Sequence, residues 1–309
     1  MKSVKKNFVF LYGVLAMIVL LGFMGCSSPE LTTGKLAFAQ KDFVKAEENL
    51  RKGLETDKSD AEGWYMLGVC QTELEKYDQA KVAFKNSLNI SNAYADELFD
   101  YWLLKYKASV DYFNNAVGKD SATTYNNLAK AVKYATAASN IIPDSLESYR
   151  IIGDAYYYMK DNEKFLSSYE YVYGKSKSVE DAEKYAKANY LIGLDQRLNE
   201  KFDESIKTFK KVTEISNLPK DNLYYESSML NIGINYYQEA LEISKKEGSD
   251  YKPVLMQSLK YFEPLLSSKN TKDIRNDALF EYLIAVYNGL GDSAKEEEMK
   301  KLKEELIKQ

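Results

Sequence analysis

The strongest constraint in this sequence is a glycine that recurs with fixed companions. Gly34 and Leu50 are followed 34 residues later by Gly68 and Phe84. The same glycine position is found again at Gly153, Gly193 and Gly233. Glycine inside a helix costs about 1 kcal/mol, so its repeated use there needs a structural reason. Self-similarity at this period is typical of stacked helical hairpins, which predicts an extended binding surface rather than a catalyst.

The segment between Trp64 and Phe84 shows why a small residue is needed. Leu67 and Gly68 share a helical face with Trp64, and a second apolar helix carries Ala80 and Phe84. Two helices joined by a short turn must approach closely where they cross. A small residue is therefore needed on each helix, and large residues fill the space beside the crossing. Residues of these types at these spacings resemble the tetratricopeptide repeat.

This resemblance implies an all-α, superhelical solenoid of six to seven stacked helix-turn-helix hairpins over residues 31–309. Trp102 holds the glycine position of one repeat, which predicts a lengthened or splayed hairpin near residues 95–141. A 51-residue step from Gly233 to Ile284 predicts a second extended repeat near residues 226–267. The matching second-helix residues are the pairs Ala46/Leu50, Ala80/Phe84, Ala131/Ala135, Phe165/Tyr169, Ser205/Phe209 and Ser258/Phe262. The charged segment 295–309 predicts a polar capping helix at the exposed end.

The N-terminal segment has the pattern of a secretory signal. Basic residues precede an apolar run, Phe8 to Met24, that ends at Gly25 and Cys26. Glycine before cysteine resembles a bacterial lipobox. This resemblance implies that residues 1–25 are a signal peptide and that Cys26 is lipidated, with residues 26–30 as a short tether. An uncleaved membrane helix is the alternative, because the apolar run approaches spanning length.

The residue after the lipidated cysteine predicts where the protein is sorted. In the lipoprotein family, an aspartate there retains the protein at the inner membrane, whereas this chain has Ser27. The resemblance therefore implies a protein of the cell envelope, lipid-anchored in the outer membrane and facing the periplasm. In that compartment Cys70 is the only remaining thiol, and we expect it to be a small buried apolar residue rather than a reactive group.

Composition argues against several classes of function. The chain has no histidine and two cysteines, which removes the commonest general base and the usual ligands of zinc. A formal charge of −4 lacks the basic footprint that nucleic acids require. Neither a phosphate-binding glycine loop nor a nucleophile elbow occurs. We expect no catalytic residue, no metal site and no cofactor.

In tetratricopeptide proteins the first helices of the hairpins line a concave groove that binds a peptide or helix of a partner protein. Tyrosine and arginine suit such a surface because they combine large contact area with polar ends. We expect partner-binding residues at Tyr65, Phe99, Tyr106, Arg150, Asp154, Tyr157, Tyr190, Arg197 and Tyr237. Packing of these tyrosines between repeats is the alternative.

The equivalent positions along the groove predict what it binds. They hold Tyr65, Val69, Phe99, Leu103, Tyr190 and Leu194, an apolar and aromatic wall. Such a wall favours an apolar peptide face over the acidic tails that other members of the family clamp with basic side chains.

Two functions fit these observations. One is a membrane-anchored scaffold that mediates protein–protein interactions in the envelope, possibly within an assembly or secretion complex. The other is an accessory component for uptake that binds a small apolar ligand or a periplasmic binding protein.

Overall fold

The computed structural model describes residues 28–116, 121–270 and 273–307. The predicted signal peptide and Cys26 lie outside the described residues, and both remain predictions. None of the helices in the described ranges has the length and apolar content needed to cross a membrane.

Fourteen α-helices and two short 3₁₀ turns make up the regular structure of the described ranges, where no strand occurs. The 3₁₀ turns are Asn92–Tyr94 and Glu263–Ser267. The helices are α1 Pro29–Ala39, α2 Phe43–Thr56, α3 Ala61–Glu73, α4 Tyr77–Ile90, α5 Ala95–Ala116, α6 Ser121–Ile141, α7 Leu146–Tyr158, α8 Asn162–Ser176, α9 Val179–Leu198, α10 Phe202–Thr213, α11 Leu223–Ser244, α12 Lys252–Phe262, α13 Asp277–Leu290 and α14 Ser293–Ile307. They pair as seven hairpins, which confirms the predicted all-α fold of helix-turn-helix repeats.

The described residues form two compact units. The first contains α1 to α4, α5 as far as Lys107, and Ala137–Asp144. The second contains Ala108–Thr136 and the chain from Ser145 onward. Within the first unit α3 contacts α1, and within the second α11 contacts both α9 and α13. First helices of successive hairpins therefore lie side by side in each unit.

One backbone motif ends the first helix of most hairpins. We call the position of the recurring glycine in each first helix the glycine slot. The residue seven positions after this slot has positive φ at Lys41, Glu75, Lys160 and Glu200. The amide of the next residue donates back across the helix end; the Lys76 N–H, for example, bonds the Gln71 carbonyl at 2.8 Å. This is the Schellman motif, which gives hydrogen-bond donors to carbonyl groups at the end of the helix and reverses the chain in a short turn.

The slot glycines lie in helices at close crossings, as the sequence predicts. A Cβ atom added to Gly68 would lie 2.5 Å from the Phe84 ring, and one added to Gly233 would lie 2.4 Å from the Phe262 ring. Gly34, Gly153 and Gly193 meet Leu50, Tyr169 and Phe209 in the same way, at 2.7 to 2.8 Å. No real Cβ atom fits at such distances, so these crossings require glycine.

The predicted second-helix residues form the core. All twelve residues of the predicted pairs are at most 2 % exposed. Two of them are serines that bond inside the core: Ser205 Oγ, for example, donates to the Gly193 carbonyl at 2.8 Å. Cys70 is fully buried, and burial raises the pKa of its thiol to about 12, so the thiol is an unreactive core group as expected.

The irregular repeats contain the longest helices. α5 and α11 have 22 residues each and α6 has 21. At the C-terminus, α14 buries Met299 and exposes most of its charged residues, as a polar capping helix does.

Candidate functional site

Six tyrosine and lysine side chains meet along the first helices of the second unit. They come from α7, the turn after it, α9 and α11. We call this surface the tyrosine–lysine face, and its members are Tyr157, Lys160, Lys184, Lys187, Tyr190 and Tyr224.

Lys187 lies at the centre of this face. Its Nζ atom is 3.7 Å from the centroid of the Tyr157 ring, a close cation–π contact. Burial lowers the pKa of Lys187, but the hydrogen bond to the Tyr157 hydroxyl, together with the electrostatic interactions with Tyr224 and Tyr157, outweighs burial and the net shift is upward. The same bond from Lys187 lowers the pKa of Tyr157. The ammonium therefore stays charged at neutral pH.

A second lysine of the face belongs to a polar chain that begins in the core. The Tyr169 hydroxyl donates to Asp154 Oδ1 at 3.0 Å, and Lys184 Nζ donates to the same oxygen at 2.8 Å. Asp154 thus joins the buried aromatic ring of α8 to a lysine on α9. This predicted site residue does lie beside the face, with its carboxylate engaged inside the protein.

Aromatic contacts continue the face toward α11. The Tyr190 ring centroid lies 5.8 Å from that of Tyr224 and 5.7 Å from that of Phe209. Asn222 caps α11, because its side-chain oxygen accepts a hydrogen bond from the Tyr224 amide at 2.9 Å. This bond holds Tyr224 in the first turn of the helix. The structure thus brings the predicted residues Tyr157 and Tyr190 onto one surface.

Two of the three lysines of the face, Lys160 and Lys187, have no acidic partner among the described residues. Lys184 is paired with Asp154. Within the described ranges, no carboxylate forms an ion pair with Lys160 or Lys187, whose ammonium groups contact the Tyr157 ring instead. The face is therefore a local positive patch on a chain of net charge −4.

Arg150 does not belong to the face, because it has a partner inside the protein. Its guanidinium donates to both oxygens of Asp181, at 2.9 Å from Nε and 2.8 Å from Nη2. The Asp181 side chain is 2 % exposed and also accepts from the hydroxyls of Ser176 and Ser178. The Arg150 bond is the main cause that lowers the Asp181 pKa to about 2. The geometry gives Arg150 a structural role that sequence spacing alone does not reveal.

The other predicted residues of the second unit lie apart from the face. Arg197 is half-buried on α9, and its Nε atom is buried without a hydrogen-bond partner. Tyr237 packs edge-on against Tyr282, with centroids 5.5 Å apart, and lines a cleft of about 520 Å³ beside α13.

The three predicted residues of the first unit lie in aromatic stacks. Tyr65 stacks on Tyr94 at 5.5 Å, and Tyr106 stacks on Trp102 at 5.3 Å. Phe99 contacts Trp102 from the other side and is 48 % exposed. Aromatic packing therefore covers much of these side chains, within α5 for Phe99 and Tyr106 and against the 3₁₀ turn after α4 for Tyr65.

The predicted apolar wall is wrong at two points. Val69 is 6 % exposed and packs in a core cluster with Phe84 and Leu98, so it does not line a groove. The wall also omits Lys184 and Lys187, which give the face its charge. A signal was available: Lys187 precedes Tyr190 by three residues and so shares its helical face. In the described ranges, no group of three or more acidic or thiol side chains is placed to hold a metal ion.

Comparisons with known proteins agree with the repeat architecture. Residues 61–94, which comprise α3, α4 and the 3₁₀ turn that follows, match the family model described as tetratricopeptide repeat. This confirms the resemblance drawn from Trp64, Leu67 and Gly68. No curated protein matches the chain.

Solved structures with similar folds have low sequence identity. The C-terminal part of a tetratricopeptide-repeat protein from Cytophaga hutchinsonii is 18 % identical, with 88 % of this chain and 93 % of that chain covered and a TM-score of 0.36. A repeat protein from Bacteroides fragilis is 16 % identical, with 91 % and 98 % covered and a TM-score of 0.28. A repeat protein from Thermus thermophilus is 18 % identical, with 66 % and 100 % covered and a TM-score of 0.30.

Proposed function

We propose that this chain is a membrane-anchored scaffold that binds another protein of the cell envelope through the tyrosine–lysine face. The observation that carries the proposal is Lys187, an ammonium group held between two tyrosines with no carboxylate partner among the described residues. Repeat arrays of this class typically bind polypeptides along their first helices. An anchor at Cys26 would hold the face at a membrane surface, where its partner would be concentrated.

The chemistry of the face favours a partner segment that carries acidic and aromatic side chains. Lys160 and Lys187 supply positive charge, and the half-buried rings of Tyr157 and Tyr190 supply flat apolar area. Tyrosine hydroxyls add directional hydrogen bonds. Electrostatic attraction of this kind mainly speeds association and makes it sensitive to salt.

Capture from solubilised envelopes tests the binding role. Proteins captured by the wild-type chain are quantified by mass spectrometry and compared with those captured by a Lys160→Gln/Lys187→Gln variant. We expect a loss of about ten-fold in the specific partners, and a similar loss on raising the ionic strength. Lys207→Gln/Lys211→Gln, which changes two exposed lysines on α10, is the charge-matched control. Equal capture by the double variant and the wild type would contradict the proposal.

Metabolic labelling with a palmitate analogue tests the anchor separately. We expect label on the wild type and none on Cys26→Ala. A label that survives this substitution, or its absence from the wild type, would rule out lipid anchoring at Cys26 and leave the binding face untouched.

A second function, ligand binding during uptake, has one observation in its favour. The cleft of about 520 Å³ beside α13 has an apolar lining that includes Leu241, Ile284 and the Tyr251 ring. Its size suits a small apolar molecule. Native mass spectrometry of the purified chain distinguishes the two functions: a retained small molecule supports ligand binding, and a retained polypeptide supports the scaffold.

A further inference from the structure

A separate cleft opens in the first unit, among α2, α3 and α4. Its volume is about 590 Å³. The apolar side chains that line it are Trp64, Leu67, Val82 and Ala83, and the polar ones are Glu47, Arg51, Gln71, Lys76, Asp78 and Gln79. This cleft shares no residue with the tyrosine–lysine face, so it is a distinct site.

The cleft lies where two other hairpins carry a large aromatic ring. Three residues after the glycine slot the chain has Tyr156 and Tyr236, but the α3–α4 hairpin has Gln71. Tyr156 packs under Lys164, whose Nζ atom is 4.9 Å from the ring centroid, and Tyr236 stacks on Tyr261 at 5.9 Å. Glutamine is narrower than these rings, which leaves space beside α3.

Gln71 has a hydrogen-bonding group that the fold does not use. Its main-chain carbonyl accepts from the Lys76 amide in the hairpin turn. The residue as a whole is only 5 % exposed, and its side-chain Oε1 atom is buried without a hydrogen-bond partner. Because an unpaired buried acceptor is destabilising, an apolar residue would serve the fold better at this position.

The charged groups at the cleft are paired, except for Asp78, an exposed carboxylate at the start of α4 that forms no ion pair among the described residues. Lys76 Nζ lies 2.6 Å from Glu47 Oε2, and Arg51 Nη1 lies 3.4 Å from Glu55 Oε1. The indole N–H of Trp64 donates to the Lys58 carbonyl at 3.0 Å, so the cleft receives only the ring. The Val82 side chain is 58 % exposed, so it presents apolar surface at the cleft. A neutral ligand with apolar groups and a hydrogen-bond donor fits this lining.

We propose that this cleft binds an extended, uncharged polypeptide segment, with the Gln71 amide bonded to a main-chain peptide group. A primary amide presents a donor and an acceptor side by side, as the main-chain N–H and C=O of one residue in an extended strand do, and can pair with them. Rotation about the soft terminal torsion of Gln71 turns its oxygen toward the cleft. Trp64, Leu67 and Val82 then take a leucine-sized side chain of the segment. Sequence selectivity is modest, because the main chain supplies the polar contact.

Nuclear magnetic resonance of the glutamine side-chain amides tests this site in the full chain. The probe is a blocked peptide of alternating serine and leucine, acetylated at one end and amidated at the other. We expect it to shift the Gln71 amide signal at sub-millimolar to millimolar concentration. A version with N-methylated leucines, which cannot donate from those amides, should bind at least about ten-fold more weakly. A Gln71 signal that the probe does not move would overturn the proposal.

The variant Gln71→Met separates a binding role from a structural one. Methionine has a similar size and suits a helix, so removing the unpaired acceptor should raise the melting temperature by about 2 °C or more while peptide binding falls at least about ten-fold. Unchanged binding, or a lower melting temperature, would contradict the proposal.

Gln196→Met is the matched control. Gln196 follows its slot glycine by the same three residues and also has a buried, unpartnered Oε1 atom, but it does not line this cleft. We expect it to raise stability without affecting the peptide. Equal loss of binding in both variants would place the peptide elsewhere. A decyl maltoside titration that moves Gln71 where the peptide does not would make the cleft a lipid-tail site and also overturn the proposal.

Discussion

The α3–α4 and α7–α8 hairpins place different side chains on the same packing plan. Both cross at a glycine, Gly68 in one and Gly153 in the other, and the glycine meets an aromatic ring sixteen residues later. In the first hairpin this ring is Phe84, next to Val69 in an apolar cluster. In the second it is Tyr169, and its hydroxyl donates to Asp154, which holds the position of Val69.

The position three residues before the glycine also holds an aromatic residue in the first hairpin and a charged residue in the second. Three residues before the glycine, Tyr65 stacks on Tyr94, whereas Arg150 forms a two-fold ion pair with Asp181. Both contacts reach beyond their own hairpin, one through aromatic packing and the other through charge. The glycine crossing thus fixes the hairpin geometry, and the adjoining positions are free to be apolar or polar provided that they change together.

The largest effect is expected from filling the shared crossing. Gly68→Val and Gly153→Val would each force side-chain atoms into an aromatic ring, and we expect a loss of about 3 kcal/mol or more in the free energy of unfolding. Urea denaturation measures it. Gly174→Ala in α8 is the control: a Cβ there meets nothing within 4 Å, so stability should stay equal or rise by up to about 1 kcal/mol. Similar stability of all three variants would refute the idea of a shared crossing.

Breaking the buried ion pair between Arg150 and Asp181 should cost far more than breaking an exposed one. Arg150→Met leaves the Asp181 carboxylate buried with two serine hydroxyls and no cation, at a cost of about 3 kcal/mol. Denaturation of Lys164→Met provides the contrast, since its ion pair with Asp161 is surface-exposed and should contribute close to nothing. Equal effects of these two substitutions would show that burial of Asp181 has no energetic consequence.

The same carboxylate makes stability depend on pH. Arg150 chiefly, with Ser176 and Ser178, lowers the Asp181 pKa from 3.8 to about 2 against the opposing effect of burial. The resulting stabilisation is complete above the unfolded-state pKa and is lost as the pH falls from about 4 toward 2, up to about 2 kcal/mol. Denaturation at pH 7 and pH 3 should show a smaller drop for Asp181→Asn than for the wild type. Equal drops would exclude Asp181 as the source.

Exchanging the ring residues tests whether neighbouring positions change together. Tyr169→Phe removes one hydrogen bond to Asp154, which keeps Lys184, and we expect a loss of about 1 kcal/mol. Phe84→Tyr places a hydroxyl beside Val69 in an apolar cluster. It should cost as much or more unless Val69→Asp accompanies it. Calorimetric melting of the single and double variants measures the coupling, and strict additivity would show that the two positions are independent.

Much of the fold could be predicted because its rules are local. Helical spacing places Leu67, Gly68 and Trp64 together within two turns, and the same register recurs wherever a slot glycine does. The site was less accessible to this reasoning. Tyr157 and Tyr190 were found because they sit beside slot residues, whereas the role of Lys187 depends on its distance from a ring thirty residues earlier.

The sequence by itself determined the repeat: which residues form helices, which positions must be small and which must be buried. These follow from helix periodicity and from the volume available at a crossing, and both are set within a few turns of chain. Only the tertiary structure decided that Arg150 pairs with Asp181, that Lys187 lies over Tyr157 and that Gln71 keeps an unpaired oxygen. The first two features are contacts between side chains on different helices, and the third is the absence of such a contact. They depend on crossing angles and side-chain torsions that spacing along the chain does not specify.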